Sequence, residues 1–129
     1  MISCQPAAEK TTSTTKEVTV IGYEFNDKGE KLNLIAGDVI VTEIWMDYIQ
    51  AHNDKDLDKI AVMNAEDVTV HASDGTLIKG RDAHKLALSA WFGSSNPMWK
   101  VNWMATNTGE QKNGENKNWL TTGNDVTIG

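Results

Sequence analysis

Two hydrophobic periods divide the chain. In "VTVIGYEFNDKGEKLNLI" apolar and polar residues alternate locally around the turn-like tetrad "NDKG", a pattern that predicts an accessory β-hairpin or extended segment over residues 18–36. From Asp38 the period lengthens. Val41, Ile44, Trp45, Tyr48, Ile49 and His52 recur at steps of three and four, one stripe of an amphipathic helix with Asp38 placed to cap it. The side chains of "NDKD" compete for backbone hydrogen bonds and end that helix, and Asp54 or Asp56 can cap a shorter one whose inner face carries Leu57, Ile60, Ala61 and Asn64. "DVTVHAS" is β-branched and brief, with Val68, Val70 and Ala72 on one face and Thr69, His71 and Ser73 on the other.

"SDGT" turns the chain, "LIKG" returns it, and Gly80 opens a third helix in which Ala83, Leu86, Ala87, Ala90 and Trp91 share a face. "GSSNP" closes that helix, because proline biases its predecessor away from helical backbone. "MWKVNWMATN" alternates, which puts Trp99, Val101, Trp103 and Ala105 on one face and Met98, Lys100, Asn102 and Met104 on the other. A polar loop, "TGEQKNGENK", leads to the last strand, "NWLTTGNDVTI". Helix, helix, strand, strand, helix and long antiparallel strands is the order of an α+β domain in which a curved sheet wraps around helices.

Composition narrows the function classes. The chain has 129 residues, enough for one domain with its own core, and 40% hydrophobic and 23% charged residues fit a globular protein. With 12 Lys+Arg against 18 Asp+Glu the net charge is -6, which repels phosphate backbones and argues against a nucleic-acid partner. One cysteine, Cys4, excludes an intramolecular disulfide. It stands in residues 1–17, a stretch rich in threonine, serine, alanine, lysine and glutamate with the composition of a flexible tether. "MISC" resembles the end of a bacterial lipobox, although the charged and apolar parts of a signal peptide do not precede it. Two readings stay open. Cys4 is lipidated and anchors a periplasmic or cell-surface protein, its sole link to a membrane, or it is an incidental thiol on a cytoplasmic one.

From about Asp38 to Ile128 the chain resembles the nuclear transport factor 2-like superfamily, in its SnoaL-like and ketosteroid isomerase-like branches. The residues that carry the resemblance are "YIQAHNDKDLDKIAVMNAEDVTV", with its helix, break, second helix and strand entry, and "GRDAHKLAL" at the third helix. The resemblance implies a cone-shaped, cystatin-like antiparallel sheet around three helices over residues 37–129, and a homodimer formed through the open face of the sheet. It also implies that Tyr48 holds the position of a tyrosine that donates a hydrogen bond to a developing enolate oxygen, as a phenol can in a water-poor pocket. The proton-abstracting aspartate of the isomerases, however, falls on Ala72, which has no acid-base chemistry. Two strands of the usual sheet have no counterpart here, so either the sequence is C-terminally truncated or the N-terminal hairpin or a partner covers the exposed edge.

Substitute bases are His71, with the right pKa range, and Asp74, which shares parity with Ala72 only if the strand runs on through "SDG". Each has a plainer reading as a solvated strand or turn residue. Lys79, Gly80 and Arg81 lead into a helix N-terminus that attracts an anion or merely solvates a turn. Of five tryptophans, Trp45, Trp91, Trp99 and Trp103 lie on apolar stripes, where such rings either fill a core or line a pocket for a flat apolar ligand. Met63, Met98 and Met104 can line the same pocket, and Asp125 either points into it with Trp119 and Thr121 or marks a solvated strand end. The three histidines are scattered, nothing near them has metal-ligand spacing, and no cofactor motif is present. The expected function is the binding of a small, largely apolar molecule. The alternatives are a lyase or isomerase that moves a proton with Tyr48 as hydrogen-bond donor, and a protein-interaction or dimerisation module.

Overall fold

The computed structural model describes residues 18–109 and 117–129. The tether and Cys4 lie outside the described residues. Nine elements follow one another: β1 (Val20–Phe25), β2 (Lys31–Ala36), α1 (Ile40–Asn53), α2 (Leu57–Met63), β3 (Thr69–His71), β4 (Leu77–Lys79), α3 (Arg81–Ser94), β5 (Pro97–Gly109) and β6 (Asn118–Ile128). The result is α+β, with a curved antiparallel sheet and three helices, an arrangement compatible with a nuclear transport factor 2-like fold. The sheet runs β1-β2-β5-β6, and β3 and β4 form a separate two-stranded ribbon.

Local chemistry sets the element ends. Asn26 Oδ1 accepts from the amides of Lys28 and Glu30 at 2.9 Å each, and Gly29 takes φ 78, which together close the β1–β2 turn. Asp38 Oδ1 accepts from the Ile40 amide at 3.0 Å and so satisfies one of the orphan donors at the start of α1. Asp56 caps α2 by accepting from the Lys59 amide at 3.1 Å. Gly80, at φ 96, leads into α3 while its amide bonds back to the Val68 carbonyl.

The core is small and comes from the helices. Ala51, Ile60 and Leu88, one from each helix, are buried together, and Tyr48, Leu57, Trp91 and Phe92 pack against them half-buried. The inner face of α3 is therefore His84, Leu88 and Trp91, at steps of four and three. That corrects the expected stripe of Ala83, Leu86 and Ala90, all of which are exposed, Leu86 to 73%. A stripe drawn through apolar residues only leaves out His84 and is rotated by a fraction of a turn.

The long strands depart from simple alternation too. Val101 pairs with Asn124 and Trp103 with Gly123, so Asn102 is an extra residue, a β-bulge. Before the bulge Trp99 and Val101 face the helices; after it Met104, Thr106 and Thr108 do, and Asn102 and Trp103 both lie exposed. Trp103 is accordingly on the convex face, not beside Trp99. Its indole lies over Gly123, where a side chain would overlap the ring. On β6 the half-buried set is Leu120, Thr122 and Asn124, while Trp119, Thr121 and Asp125 are exposed. The N-terminal hairpin joins the sheet beside β5, where β2 pairs Leu34–Ala36 with Asn107–Gly109, on the opposite side from β6. The outer edge of β6 has no strand partner among the described residues.

Candidate functional site

Where β2 stops pairing, the free edge of β5 meets α1 instead. The Asn53 side-chain amide pairs with the backbone of Trp99 as a strand would, its Nδ2 donating to the Trp99 carbonyl at 3.0 Å and its Oδ1 accepting from the Trp99 amide at 2.8 Å. Lys55, held at φ 60 just past the helix, donates from Nζ to the Pro97 carbonyl. These two residues pin the start of β5 to the end of α1 and set the Trp99 ring against His52, with ring centres 5.2 Å apart.

A cavity of about 350 Å³ opens between the helices, the β3–β4 ribbon and the concave face of the sheet. Helix α1 contributes Trp45, Tyr48, Ile49 and His52, and α3 contributes His84, Ala87, Leu88 and Trp91. The ribbon supplies Val70, Ala72, Ser73 and Ile78, and the long strands supply Trp99 and Asn124. Trp91 and Trp99 meet edge to face at 5.4 Å, a favoured aromatic arrangement. A second hollow of about 250 Å³ shares Trp45 and Tyr48 as a wall and is otherwise lined by Val41, Ile44, Met63, Asn64 and Leu120. The Trp45 indole Nε1 is buried with no hydrogen-bond partner among the described residues.

Three polar side chains of the cavity, Tyr48, His52 and His84, are tied together through Asn64 and the Tyr48 backbone. His52 Nδ1 stands 2.7 Å from the Tyr48 carbonyl, which can only accept, so His52 carries its proton on Nδ1 and Nε2 has the lone pair. The Tyr48 hydroxyl donates to Asn64 Oδ1 at 3.1 Å, which leaves Asn64 Nδ2 to donate to His84 Nδ1 at 3.0 Å. His84, when neutral, therefore holds its proton on Nε2. Asn64 is itself fixed by Arg81, whose Nε and Nη2 donate to the Asn64 carbonyl at 3.0 and 2.5 Å. The two imidazoles are 6% exposed each, and their ring centres are 6.3 Å apart. Burial lowers the pKa of both rings below the ordinary histidine value; for His52 the bond to Tyr48 opposes this, and the charges of His84 and Lys55 add to it. Burial also raises the Tyr48 phenol above its usual value, partly offset by its bond to Asn64.

The structure brings together some of the residues expected from sequence and disperses others. Trp45, Tyr48 and Trp99 line the larger cavity, and Met63 lines the smaller hollow. His71 is exposed on β3 and outside both linings, because alternation along the strand gives the cavity to Val70 and Ala72. Asp74 is a turn residue. Its carboxylate accepts from the Thr76 amide at 2.8 Å, which holds its pKa below the usual carboxylate value. Trp103 and Asp125 are exposed and outside both cavities, and on β6 the cavity position belongs to Asn124. Arg81 is engaged with Asn64 rather than presented as an anion site. His52, His84, Asn64 and Asn53 join the site without being expected there from sequence. A signal for His52 exists in its place on the α1 stripe, four residues after Tyr48. Among the described residues no group of three His, Cys, Asp or Glu side chains could share a metal ion, and no helix is long and apolar enough to cross a membrane.

No family model matches the chain, and no curated protein matches it. Among solved structures it is similar to Aln2 from a Streptomyces species, determined at 1.8 Å, with a TM-score of 0.46 and 16% identity over 67% of this chain and 75% of that one. A likeness of this size assigns neither family nor activity, and the site stands on its own geometry.

Proposed function

We propose that the chain is a SnoaL-like domain of the nuclear transport factor 2-like superfamily that holds a small, largely apolar molecule in the cavity between α1, α3 and β5. One observation carries the reading: a cavity of about 350 Å³ walled by Trp45, Trp91 and Trp99 has a few polar groups converging on it, led by His52 and His84. Ligand pockets typically combine apolar and aromatic walls with sparse, oriented polar groups. The fused-ring ketone β-tetralone, flat and apolar with one carbonyl, is a fitting probe. Saturable quenching of tryptophan fluorescence by β-tetralone in the intact protein, abolished by Ala72→Phe with the fold retained, supports the reading. Unchanged binding by Ala72→Phe, whose new ring would occupy the cavity, contradicts it.

A second use of the same fold, self-association through the sheet, is supported by Trp103 and Trp119 on the convex face, 54% and 61% exposed. Sedimentation of the wild type against Trp103→Lys tests it. A lipid on Cys4 would hold the domain at a membrane surface outside the cytoplasm, and mass analysis of the N-terminal peptide from a membrane fraction tests that.

A further inference from the structure

We infer that the molecule held in the cavity is an uncharged one bearing a hydroxyl, which donates its proton to His52 Nε2 and accepts from His84 Nε2–H. The inference rests on the cavity reading and names the polar group of its ligand.

The two imidazoles spend Nδ1 on the protein in opposite senses: His52 donates to the Tyr48 carbonyl, and His84 accepts from the Asn64 amide. Each neutral ring therefore keeps one nitrogen over, a lone pair on His52 and an N–H on His84. Neither Nε2 has a hydrogen-bond partner among the described residues, although both rings are buried and both line the cavity. Buried donors and acceptors are costly to leave unpaired, so a ligand that excludes water from the two rings must supply one donor and one acceptor. The Tyr48 proton is already given to Asn64 Oδ1, so among these three side chains donation to a ligand falls to His84.

A ketone or ether oxygen only accepts, and an ammonium only donates. A hydroxyl does both with one atom. The spacing suits it: an oxygen at hydrogen-bond distance from both nitrogens lies about 4 Å from each ring centre, and two such lines spanning 6.3 Å meet at about 105°, near the angle between a hydroxyl's proton and its lone pairs.

The surroundings disfavour a charged ligand. Among the described residues that line the cavity there is no carboxylate, lysine or arginine. Lys55, whose ammonium is 5.6 Å from the Trp99 ring centre, donates to the His52 and Pro97 carbonyls and stands outside the lining. Burial lowers the pKa of both imidazoles, which leaves them uncharged near neutral pH. An ionised ligand would be buried without a counter-charge, a cost that an alcohol avoids.

The experiment compares 2-indanol with 2-indanone, one flat skeleton carrying either a hydroxyl or an oxygen that only accepts, by NMR titration of the tryptophan indole signals in the intact protein. The expected result for the wild type is about 10-fold tighter binding of 2-indanol. His52→Phe should bring the two to equal affinity, and His84→Phe should weaken both about 10-fold and keep the preference. Equal or tighter binding of 2-indanone by the wild type, or a preference for 2-indanol that survives His52→Phe, overturns the inference and leaves the cavity reading to stand on β-tetralone. Absence of binding by 2-indanol, 2-indanone and β-tetralone overturns both. A readout that needs no substitution is the imidazole nitrogen shifts of the wild type. Opposite tautomers, with His52 Nε2 moving upfield on addition of 2-indanol and not of 2-indanone, support the assignment; a His52 proton on Nε2, or a lone pair that does not respond to 2-indanol, overturns it.

Discussion

Trp99 and Trp103 stand four residues apart on one strand and behave as members of two different surfaces. Trp99 is half-buried on the concave side, its backbone clamped by Asn53 and its ring against His52 and Trp91. Trp103 lies on the convex side over Gly123, 54% exposed, and lines neither cavity. The difference comes from one extra residue, Asn102, which lets two successive side chains leave by the same face. Composition alone makes the two tryptophans equal; backbone register decides which one belongs to a site.

The largest effect separates them directly. Trp99→Ala should lose β-tetralone binding and destabilise the fold by about 3 kcal/mol, as for truncation of a packed aromatic, whereas Trp103→Ala should cost about 0.5–1 kcal/mol and leave binding intact. Urea unfolding with parallel fluorescence titration reads both; equal losses would erase the distinction. Next is the clamp. Asn53→Ala leaves the Trp99 amide and carbonyl without partners at a half-buried edge and should cost about 2 kcal/mol. Asn53→Asp keeps an acceptor for the amide but sets a carboxylate against the carbonyl, so it should not restore the stability lost by Asn53→Ala.

A smaller effect comes from the buried histidines of the concave side. Their folded pKa values lie below the unfolded one of about 6.5, so the unfolded chain binds protons first as the pH falls. The stability these rings allow is complete above about pH 6.5 and declines as the pH drops through that value toward the lower folded pKa values. Thermal unfolding across this window should show a shallower decline in His52→Gln; an identical slope would contradict burial of a neutral ring. The bulge gives a test from the other side. Deleting Asn102 regularises the ladder and keeps Trp99 inward, Trp103 outward and Met104 inward, so the variant should fold and bind. If β5 instead alternated without a bulge, the deletion would reverse every later side chain and unfold the protein. The smallest effect is expected for Lys85→Ala, which removes an exposed 2.6 Å ion pair with Asp58 and should move the melting temperature within error.

These contrasts show how far the sequence can be read. The α1 stripe from Val41 to His52, the Asp56 cap and the turn around Gly75 rest on spacing and on local side-chain chemistry, and those are legible in a single chain. The bulge at Asn102 has no glycine or proline to announce it, so alternation carried straight through it places Trp103 inside. His84 escapes notice because its apolar neighbours define a stripe without it; only the approach of α1 makes its ring a cavity wall. Asn53 and Asn64 act across 46 and 20 residues of chain, one as a surrogate strand edge and one as a bridge between Tyr48 and His84. His71 and Asp74 attract attention because an imidazole and a carboxylate lie near Ala72, yet strand alternation and an Asp-Gly turn direct them to solvent.

Which tryptophan a small apolar molecule meets separates the concave site from the convex face. Intermolecular proton contacts measured by NMR between bound β-tetralone and the indole rings of the intact protein decide it. The expected contacts are to Trp99 and Trp91, with the His52 ring beside them. Contacts to Trp103 or Trp119 in their place would put the ligand on the convex face and contradict the cavity as the site.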